Sequence, residues 1–445
     1  MTAASPAPVG PRTGGGVRAV GAEPSGAGPF LAVWTPGIVT VIGTGLSVFA
    51  LSWWISRAPD GGARLGTVVG VASAVSLLGV TVLAGVLDAA DRRRSLVVLL
   101  VALLIPTAAL VAVLALRPTG ATVVVAGVCY VAVQSLQQLY TAAMENTGAD
   151  LAPASWPEAR TALLTQIHTQ VSRAVAPLVA GGLLALHLLP VVPVVAAGCV
   201  LAALAAVYRF RRHIDGLTPP APRRATKGGR SGGVRPLRNV LRDAAGSVRL
   251  IRSHRELGFL VWFGALANLI VFPFYSVLPA FNAEYGLSAA AQAGLYSASS
   301  SAYGLGMLAG ALVLVRMRRS GSTAGSLRAA ALALAAICGT LLITTVVRWP
   351  GAVVVAMAVT GALFAVLVAV GGAIWLRLTP AAIRVRVFSL RRLTVFATIP
   401  LGSLLIGFGG SLVGYREFTR GLALFVLAAL GALWGRFRPG LRKAS

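Results

Sequence analysis

Long apolar stretches that carry almost no charge recur along this chain, and they constrain its fold more than any other feature. A stretch of about 20 apolar residues is long enough to cross the hydrocarbon core of a bilayer as a helix. Backbone groups cannot stay unpaired in hydrocarbon, and the stretches lack the alternating pattern of a membrane β-barrel. Because 57% of the residues are hydrophobic and only 11% are charged, one soluble core could not bury this surface. The sequence therefore predicts an all-α integral membrane protein.

About twelve spans of membrane-helix length follow from these stretches. Residues 1–29 are rich in Gly, Pro, Ala and Ser and are predicted to form a disordered cytoplasmic tail. A basic segment at 211–255 lies between the sixth and seventh spans, and its stretch 234–255 is predicted to form an amphipathic helix on the membrane surface. Residues 437–445 form a second tail. The spans are predicted near 30–55, 65–88, 95–116, 121–143, 161–186, 188–210, 256–279, 288–315, 325–347, 350–376, 386–412 and 415–435.

Two segments half a chain apart nearly repeat each other. Leu83–Ser95 reads LAGVLDAADRRRS, and Leu308–Ser320 reads LAGALVLVRMRRS, without a gap between them. Each segment ends an apolar run on a cluster of arginines. A repeat of half-chain length indicates that the molecule is built twice. We therefore expect two six-helix bundles, at 30–210 and 256–436, joined by the basic linker.

The net charge of +27 follows the loops of this predicted topology. If the N-terminus is cytoplasmic, six of the 39 Lys and Arg residues fall in loops on the opposite side of the membrane. The cytoplasmic loops and tails hold nearly all the others. This asymmetry matches the positive-inside rule, so we expect both termini in the cytoplasm and a location in the plasma membrane. It also favours contact with membrane lipids over nucleic acid, for which no binding fold is present. The six residues in opposite-side loops are Arg57, Arg64, Arg117, Arg348, Arg416 and Arg420.

The sequence carries no pattern of a catalytic or metal site. Cys129, Cys199 and Cys338 all fall inside predicted spans, where they are typical small packing residues. The four histidines are scattered, and phosphate-loop, nucleophile-elbow and HExxH motifs are absent. We therefore predict that the chain is not an enzyme and binds neither a cofactor nor a metal.

The first repeat copy is similar to a loop motif, G-x-L-A-D-R-x-D-R-R, found between the second and third helices of the major facilitator superfamily. On the fifth span, the segment 173–182 (RAVAPLVAGG) is similar to that superfamily's R-x-x-G-P-x-x-G-G, with alanine at two glycine positions. Together with the repeat and the basic central loop, these motifs resemble the branch of enterobactin-type siderophore exporters and macrolide efflux proteins. In the first motif Ala84 stands at the glycine, Asp88 at the acid, Ala89 at the first arginine, and Asp91, Arg92 and Arg93 at D-R-R; Leu278–Gly286, Arg386–Ser389 and Pro400–Gly402 also resemble that branch.

The resemblance implies a cytoplasmic gate at the end of the second span. A carboxylate at this place is attracted by the positive end of a neighbouring helix, such as the start of the eleventh span. The arginines that follow are expected to pair with acids at the end of the fourth span and to hold the two halves together. The alternative is that they only anchor the topology. The predicted gate residues are Asp88, Asp91, Arg92, Arg93, Glu145 and Asp150.

Arg173 is the predicted pathway or coupling residue. At 1.5 Å per residue from Thr161 it lies about 18 Å along its helix, close to the bilayer centre. Ionisable residues there usually face a cavity or a partner; the alternative is an arginine that bonds to backbone carbonyls or extends to the interface. His168 is a second candidate. The predicted hinge or packing residues are Pro177, Gly181, Gly182, Gly304, Gly306 and Gly310.

Polar and aromatic side chains on the inner spans are predicted to line a substrate cavity, although they serve equally well as contacts between helices. No acidic residue falls in the middle of a predicted span, which disfavours cationic substrates. The sequence thus predicts a monomeric secondary transporter, a proton-coupled exporter of a hydrophobic or amphiphilic, neutral-to-anionic small molecule; an importer, a facilitator, a sensor and a lipid scramblase stay open. The predicted cavity residues are Thr40, Thr44, Gln134, Gln137, Gln138, Tyr140, Asn268, Tyr275, Tyr296, Trp375 and Thr398.

Overall fold

The computed structural model describes residues 27–89, 91–153, 155–156, 158–215, 249, 251, 253–316, 323–379 and 384–441. Within these ranges the regular secondary structure is entirely helical, so the predicted all-α fold class is confirmed. Most of the predicted N-terminal tail, residues 216–248 of the linker and the last four residues lie outside the described part.

The N-terminal half consists of six long helices and one short helix. They are α1 (Gly28–Ser56), α2 (Gly61–Ala89), α3 (Arg92–Ala115), α4 (Gly120–Leu151), α5 (Glu158–Ala185), α6 (Val191–Arg209) and the short α7 (Arg211–Asp215). The C-terminal half consists of α8 (Arg255–Ala283), α9 (Ala289–Arg316), α10 (Thr323–Val346), α11 (Gly351–Leu378), α12 (Arg384–Phe396), α13 (Thr398–Val413) and α14 (Tyr415–Leu441).

Eleven helical stretches among the described residues are long and apolar enough to cross a membrane. The fifth predicted span differs, because only Gln170–Ala185 of α5 is apolar and this part is shorter than the others. The first half of α5 carries Gln166 and His168 among its apolar residues, which lowers its hydropathy. The protein is a multi-pass membrane protein.

The eleventh predicted span is not one continuous helix. It divides into α12 and α13 at Ala397. Pro400 lies in the first turn of α13 and lacks an N–H, so it cannot donate to the carbonyl of Phe396. The break thus coincides with a missing hydrogen bond of the helix backbone.

Consecutive long helices run in alternating directions, which gives the molecule two ends. We call the end that carries the α2–α3, α4–α5 and α6–α7 connections the basic face, since Arg92, Arg93 and Arg209 lie there. The other end, with the connections at 57–60, 116–119, 186–190, 284–288 and 347–350, is the opposite face. Each site residue can therefore be placed by its distance from these ends.

The two halves meet along two helix pairs, α2 with α13 and α5 with α9. Small residues let the first pair approach closely: a Cβ atom at Gly66 would lie only 2.7 Å from the Cα of Gly407. At the opposite face, the ring of Tyr415 at the start of α14 lies against Gly62 of α2. Such backbone contact between halves is the kind of close packing that glycine permits in membrane helices.

Candidate functional site

An aromatic cluster joins the two halves between the bilayer centre and the opposite face. Tyr296 of α9 stacks on Phe49 of α1, with ring centroids 4.1 Å apart, and on Trp53 at 6.3 Å. All three side chains are buried. Because Phe49 and Trp53 belong to one half and Tyr296 to the other, this stack closes the interface at that level.

The cluster continues through α8 and α11 towards the bilayer centre. Tyr275 of α8 lies 5.1 Å from Tyr303 of α9, and Phe272 makes an edge contact with Phe364 of α11 at 5.3 Å. Tyr130 of α4 adds a phenol from the N-terminal half, close to both Tyr275 and Tyr296. Tyrosine and phenylalanine offer large apolar rings, and tyrosine adds a polar end. The pathway centre is thus aromatic with a few hydroxyl groups.

Arg173 places a positive charge beside this cluster. Its guanidinium Nη1 lies 3.9 Å from the Met307 Sδ, and the guanidinium carbon lies 5.5 Å from the centroid of the Phe272 ring. The side chain is only partly buried. Among the carboxylates whose side chains the structure describes, none forms an ion pair with Arg173. Its partners among the described residues thus include the Met307 sulfur, the Phe272 ring and the Tyr303 hydroxyl, and a guanidinium without a described carboxylate partner can also bind an anion.

The α5–α9 packing fixes the position of Arg173. A Cβ atom at Gly304 would lie 2.6 Å from the Arg173 carbonyl carbon, so only glycine allows this approach. A second contact lies further towards the opposite face, one turn from Arg173 along α5 and two turns from Gly304 along α9. There the Ser297 hydroxyl donates a 2.7 Å hydrogen bond to the Pro177 carbonyl. Gly181 packs directly against the same serine. Pro177, Gly181 and Gly304 therefore lie at the contact between halves.

The other three predicted hinge glycines lie elsewhere. A Cβ atom at Gly182 would meet no atom within 4 Å, and the residue is exposed. Gly306 and Gly310 pack against the backbone of Ala358 and Ala362 in α11, inside the C-terminal half. The reason is the rotation of the helix, which is about 100° per residue. Gly182 therefore lies about 100° around α5 from Gly181, and Gly306 lies about 200° around α9 from Gly304. Gly306 thus faces away from the side that Gly304 presents to α5.

Polar side chains on α4 line one helix face from the cluster towards the basic face. Gln134, Gln138, Thr141 and Glu145 follow at intervals of three or four residues, which places them on the same side. The two glutamines and Thr141 are partly buried, and Glu145 is exposed. Gln137, also partly buried, borders this polar face. Gln134, Gln137 and Gln138 stay candidates for a cavity wall.

Of the predicted gate residues, Arg92 pairs with an acid at the end of α4, as expected, whereas Arg93 pairs with Asp215 instead. Arg92 Nε lies 3.1 Å from Asp150 Oδ2, and Arg93 Nη1 lies 2.8 Å from Asp215 Oδ2. Asp91 caps α3 by accepting a 2.7 Å hydrogen bond from the amide of Arg94. All of these contacts stay within the N-terminal half, because Asp150 and Asp215 end helices that pack beside α3. These particular contacts do not join the two halves.

Glu145 is a gate residue with an electrostatic interaction that reaches the other half. Its carboxylate lies in the electrostatic field of Arg392 in α12. Arg392 was not predicted as a site residue, although it follows the motif segment that begins at Arg386. Asp88 lies in the last turn of α2, and its side chain is outside the described part of the structure.

Three predicted cavity residues lie in the core of the N-terminal half instead. Thr40 and Thr44 are buried, and their hydroxyls donate to the carbonyls of Pro36 and Thr40, one turn earlier in α1. Tyr140 is also buried, next to Thr40. It lies about 200° around α4 from Gln138, so it faces the bundle interior while Gln138 faces the pathway.

Three further predicted cavity residues stabilise the C-terminal half. The Asn268 amide donates a 3.1 Å hydrogen bond to the Val395 carbonyl, at the end of α12. The Thr398 hydroxyl donates to the same carbonyl at 2.8 Å. The helix break near Ala397 frees this carbonyl, and the two side chains satisfy it. Trp375 is buried, with the Arg391 guanidinium 5.5 Å from its ring centroid.

His168 is fully buried inside the N-terminal half, away from Arg173. A Cβ atom at Gly37 of α1 would lie 3.2 Å from His168 Nε2 and 3.0 Å from the Met144 sulfur. The five residues between His168 and Arg173 turn the helix by about 140°, so the two side chains point in different directions. The structure therefore does not bring the two predicted pathway residues together.

Sequence reasoning missed most of the aromatic cluster. It identified Tyr275 and Tyr296, but apolar rings in a membrane span do not stand out from ordinary core residues. A signal was available for the tyrosines, since a buried phenol needs a polar neighbour and Ser52 and Ser300 lie close to Tyr296. The missed residues are Phe49, Trp53, Tyr130, Phe272, Tyr303 and Phe364.

No family model and no curated protein matches the sequence. Solved structures match its fold over nearly the whole chain. A POT family transporter in complex with a thioalcohol-conjugated peptide has a TM-score of 0.68 at 12% identity, over 93% of this chain and 96% of that chain. The nucleoside transporter NupG has a TM-score of 0.67 at 13% identity, over 92% and 99%. A bacterial homolog of the human lysosomal transporter Spinster, in an inward-facing and unoccupied conformation, has a TM-score of 0.67 at 13% identity, over 94% and 98%.

The chain has the major facilitator fold. The two bundles meet along the helix pairs α2–α13 and α5–α9, and the Phe49–Tyr296 stack adds an aromatic contact between them. The Phe49–Tyr296 stack, the Gly62–Tyr415 contact and the Gly181–Ser297 contact all lie towards the opposite face. The two halves are therefore in direct contact at that face.

Proposed function

We propose that the protein is a secondary active transporter that moves a bulky, amphiphilic, neutral-to-anionic small molecule by alternating access. The observation that carries this proposal is Arg173, a cation near the bilayer centre that no described carboxylate pairs with and that lies against aromatic rings between the two halves. The fold supports transport in general, since the solved structures that share it include peptide and nucleoside transporters.

Arg173 and the aromatic cluster together favour an aromatic or polycyclic anion. A guanidinium forms strong, paired hydrogen bonds with carboxylate, sulfonate or phosphate oxygens, and it gains more from them away from water. The partly buried ring of Phe272, beside Arg173, offers flat apolar surface to the rest of the substrate. An organic cation would be repelled by Arg173 and would find no described carboxylate in the central region. Substrates of this kind include drugs, siderophores and other natural products.

The proposal includes export driven by protons, with both termini in the cytoplasm of the plasma membrane and the protein acting as a monomer. Export rests on the resemblance to siderophore and macrolide exporters together with the basic face, which the arginine distribution places in the cytoplasm. Closure at the opposite face then corresponds to a conformation that accepts substrate from the cytoplasm. Glu145 and Asp88, which lie near the basic face, are the candidate proton carriers.

Purified protein in proteoliposomes with an imposed pH gradient tests the proposal. We expect gradient-dependent movement of an anionic aromatic dye, such as carboxyfluorescein, and none of a cationic dye such as rhodamine 6G. Dye movement down its own concentration gradient, at a rate that the pH gradient does not change, would indicate a facilitator. Dye movement in the same direction as the protons would indicate an importer. Lipid exchange without dye movement would contradict transport and support a scramblase.

A further inference from the structure

A groove in the outer surface of the N-terminal half is separate from the central pathway. It lies between α1 and α6, has a volume of about 390 Å³ and includes Leu31, Val39, Ala202 and Ala206 in its lining. Thr35 is the one lining residue with a polar side chain. The volume falls in the range of ligand pockets, roughly 300–1,000 Å³.

The groove runs along the membrane normal for about the depth of one leaflet. Its α1 wall extends from Gly28 to Val39, which at 1.5 Å per residue is about 16 Å. The hydrocarbon core is about 30 Å thick. The groove therefore starts at the basic face and ends near the bilayer centre, as a site for the acyl chain of one lipid would.

Three arginines flank Phe210 in the sequence, at the end of the groove on the basic face. The Arg209 guanidinium lies 5.9 Å from the ring centroid of Phe210, which lines the groove. The Arg211 guanidinium lies 5.3 Å from the ring centroid of the neighbouring Tyr208. Arg212 is exposed beside them. None of these three arginines forms an ion pair with a carboxylate among the described residues. Aromatic residues with neighbouring arginines are typical of the membrane interface.

We propose that this groove binds one anionic phospholipid, with an acyl chain between α1 and α6 and the phosphate on Arg211 and Arg212. The positive charge at the end of the groove fits the anionic headgroup of such a lipid, and the long apolar walls fit its acyl chain. A zwitterionic lipid would fill the groove equally well but would gain less from the arginines, since each basic residue near an anionic membrane surface contributes about 1 kcal/mol. The site stands apart from the transport proposal, because Arg173 and the aromatic cluster take no part in it.

Native mass spectrometry of the purified protein tests this assignment with phosphatidylglycerol as the anionic probe and phosphatidylcholine as the neutral one. We expect one phosphatidylglycerol to be retained preferentially. The double variant Arg211→Gln/Arg212→Gln should weaken that binding roughly 25-fold, at about fivefold for each arginine. The matched control is Arg377→Gln/Arg436→Gln, which removes two exposed arginines of the C-terminal half and should leave the binding unchanged.

A second variant tests the groove itself. Ala206→Trp should fill it and displace the bound lipid, whereas Ala428→Trp on the exposed side of α14 should not. Equal losses in the test and control variants, or equal retention of both lipids, would overturn the proposal. Competition by free inorganic phosphate at the affinity of the lipid would also overturn it, because the site would then recognise phosphate alone. Helical circular dichroism of every variant confirms that the fold is intact.

Discussion

Gly304 of α9 lies directly on the backbone of Arg173 in α5, so closely that a Cβ atom at Gly304 would meet the Arg173 carbonyl carbon at 2.6 Å. The contact joins the two halves and sets the depth of the only arginine in the middle of a predicted span. Substitution of this glycine therefore tests both the packing and the position of the candidate anion site.

Gly304→Ala should lower the free energy of unfolding by about 1–3 kcal/mol, the usual cost of overpacking, and should impair transport. Gly182→Ala is the matched control, since a Cβ atom there meets nothing within 4 Å. The control should keep its stability or gain up to about 1 kcal/mol from helix propensity. Thermal unfolding in detergent gives the comparison. Equal behaviour of the two variants would contradict the close contact.

Removing the charge of Arg173 should affect anionic substrates selectively. Arg173→Gln should raise the KM for an anionic aromatic substrate by about 10–100-fold, the equivalent of a charged hydrogen bond of about 1.5–3 kcal/mol. Arg173→Lys keeps the charge and should retain a large part of the activity. Transport of a neutral aromatic compound serves as the internal control. If Arg173→Gln reduces neutral and anionic transport equally, the residue has a structural role only.

Glu145 and Arg392 are expected to act as a pair across the halves at the basic face. Single charge reversals, Glu145→Arg and Arg392→Glu, should each slow transport, and the double reversal should recover part of the loss. Coupling between interacting charged residues is about 0.5–3 kcal/mol. The pair Glu145→Arg/Arg377→Glu is the control, because Arg377 is exposed at the end of a different helix. Strictly additive effects in the first pair would show that Glu145 and Arg392 do not interact.

Glu284 should stabilise the C-terminal half at the opposite face. Its carboxylate accepts hydrogen bonds from the amides of Tyr415 at 2.5 Å and Arg416 at 3.2 Å, and it lies 3.5 Å from the Arg416 Nε. Glu284→Gln should therefore cost about 1–2 kcal/mol of unfolding free energy. Glu417→Gln breaks only an exposed pair with Arg420 and should cost less than about 0.5 kcal/mol. Similar melting temperatures for the two variants would argue against this role.

The fold was predictable because it depends on coarse properties of the sequence. Span lengths, the half-chain repeat and the arginine distribution each constrain a whole helix, and errors at single residues leave them unchanged. The division at Ala397 was harder to predict, since a proline inside a helix does not always interrupt it: Pro36 and Pro177 lie within the continuous helices α1 and α5. The short apolar part of α5 was missed for a related reason: Gln166 and His168 are tolerated at the end of a long helix.

The site was less predictable because the face of a helix matters more than its composition. Gly304 contacts the other half while Gly306, two residues later, contacts α11. Likewise, Gln138 faces the pathway side of α4 and Tyr140 faces the bundle core. Sequence alone gives these rotations relative to each other but does not say which face points inward. Only packing against the second half decides that.

The two repeat copies make a last prediction about the gate. Asp88 in the first copy corresponds to Val313 in the second, so the acidic group is present in one half only. Val313 is exposed on α9, where an amide side chain meets no tight packing. Asp88→Asn removes a carboxylate that the resemblance places in the gate and should slow transport at least tenfold, whereas Val313→Asn should change it by less than about twofold, as surface substitutions usually do. Initial rates in proteoliposomes, normalised to the amount of folded protein, measure both variants. Equal effects at the two positions would mean that the carboxylate of Asp88 has no role beyond helix packing.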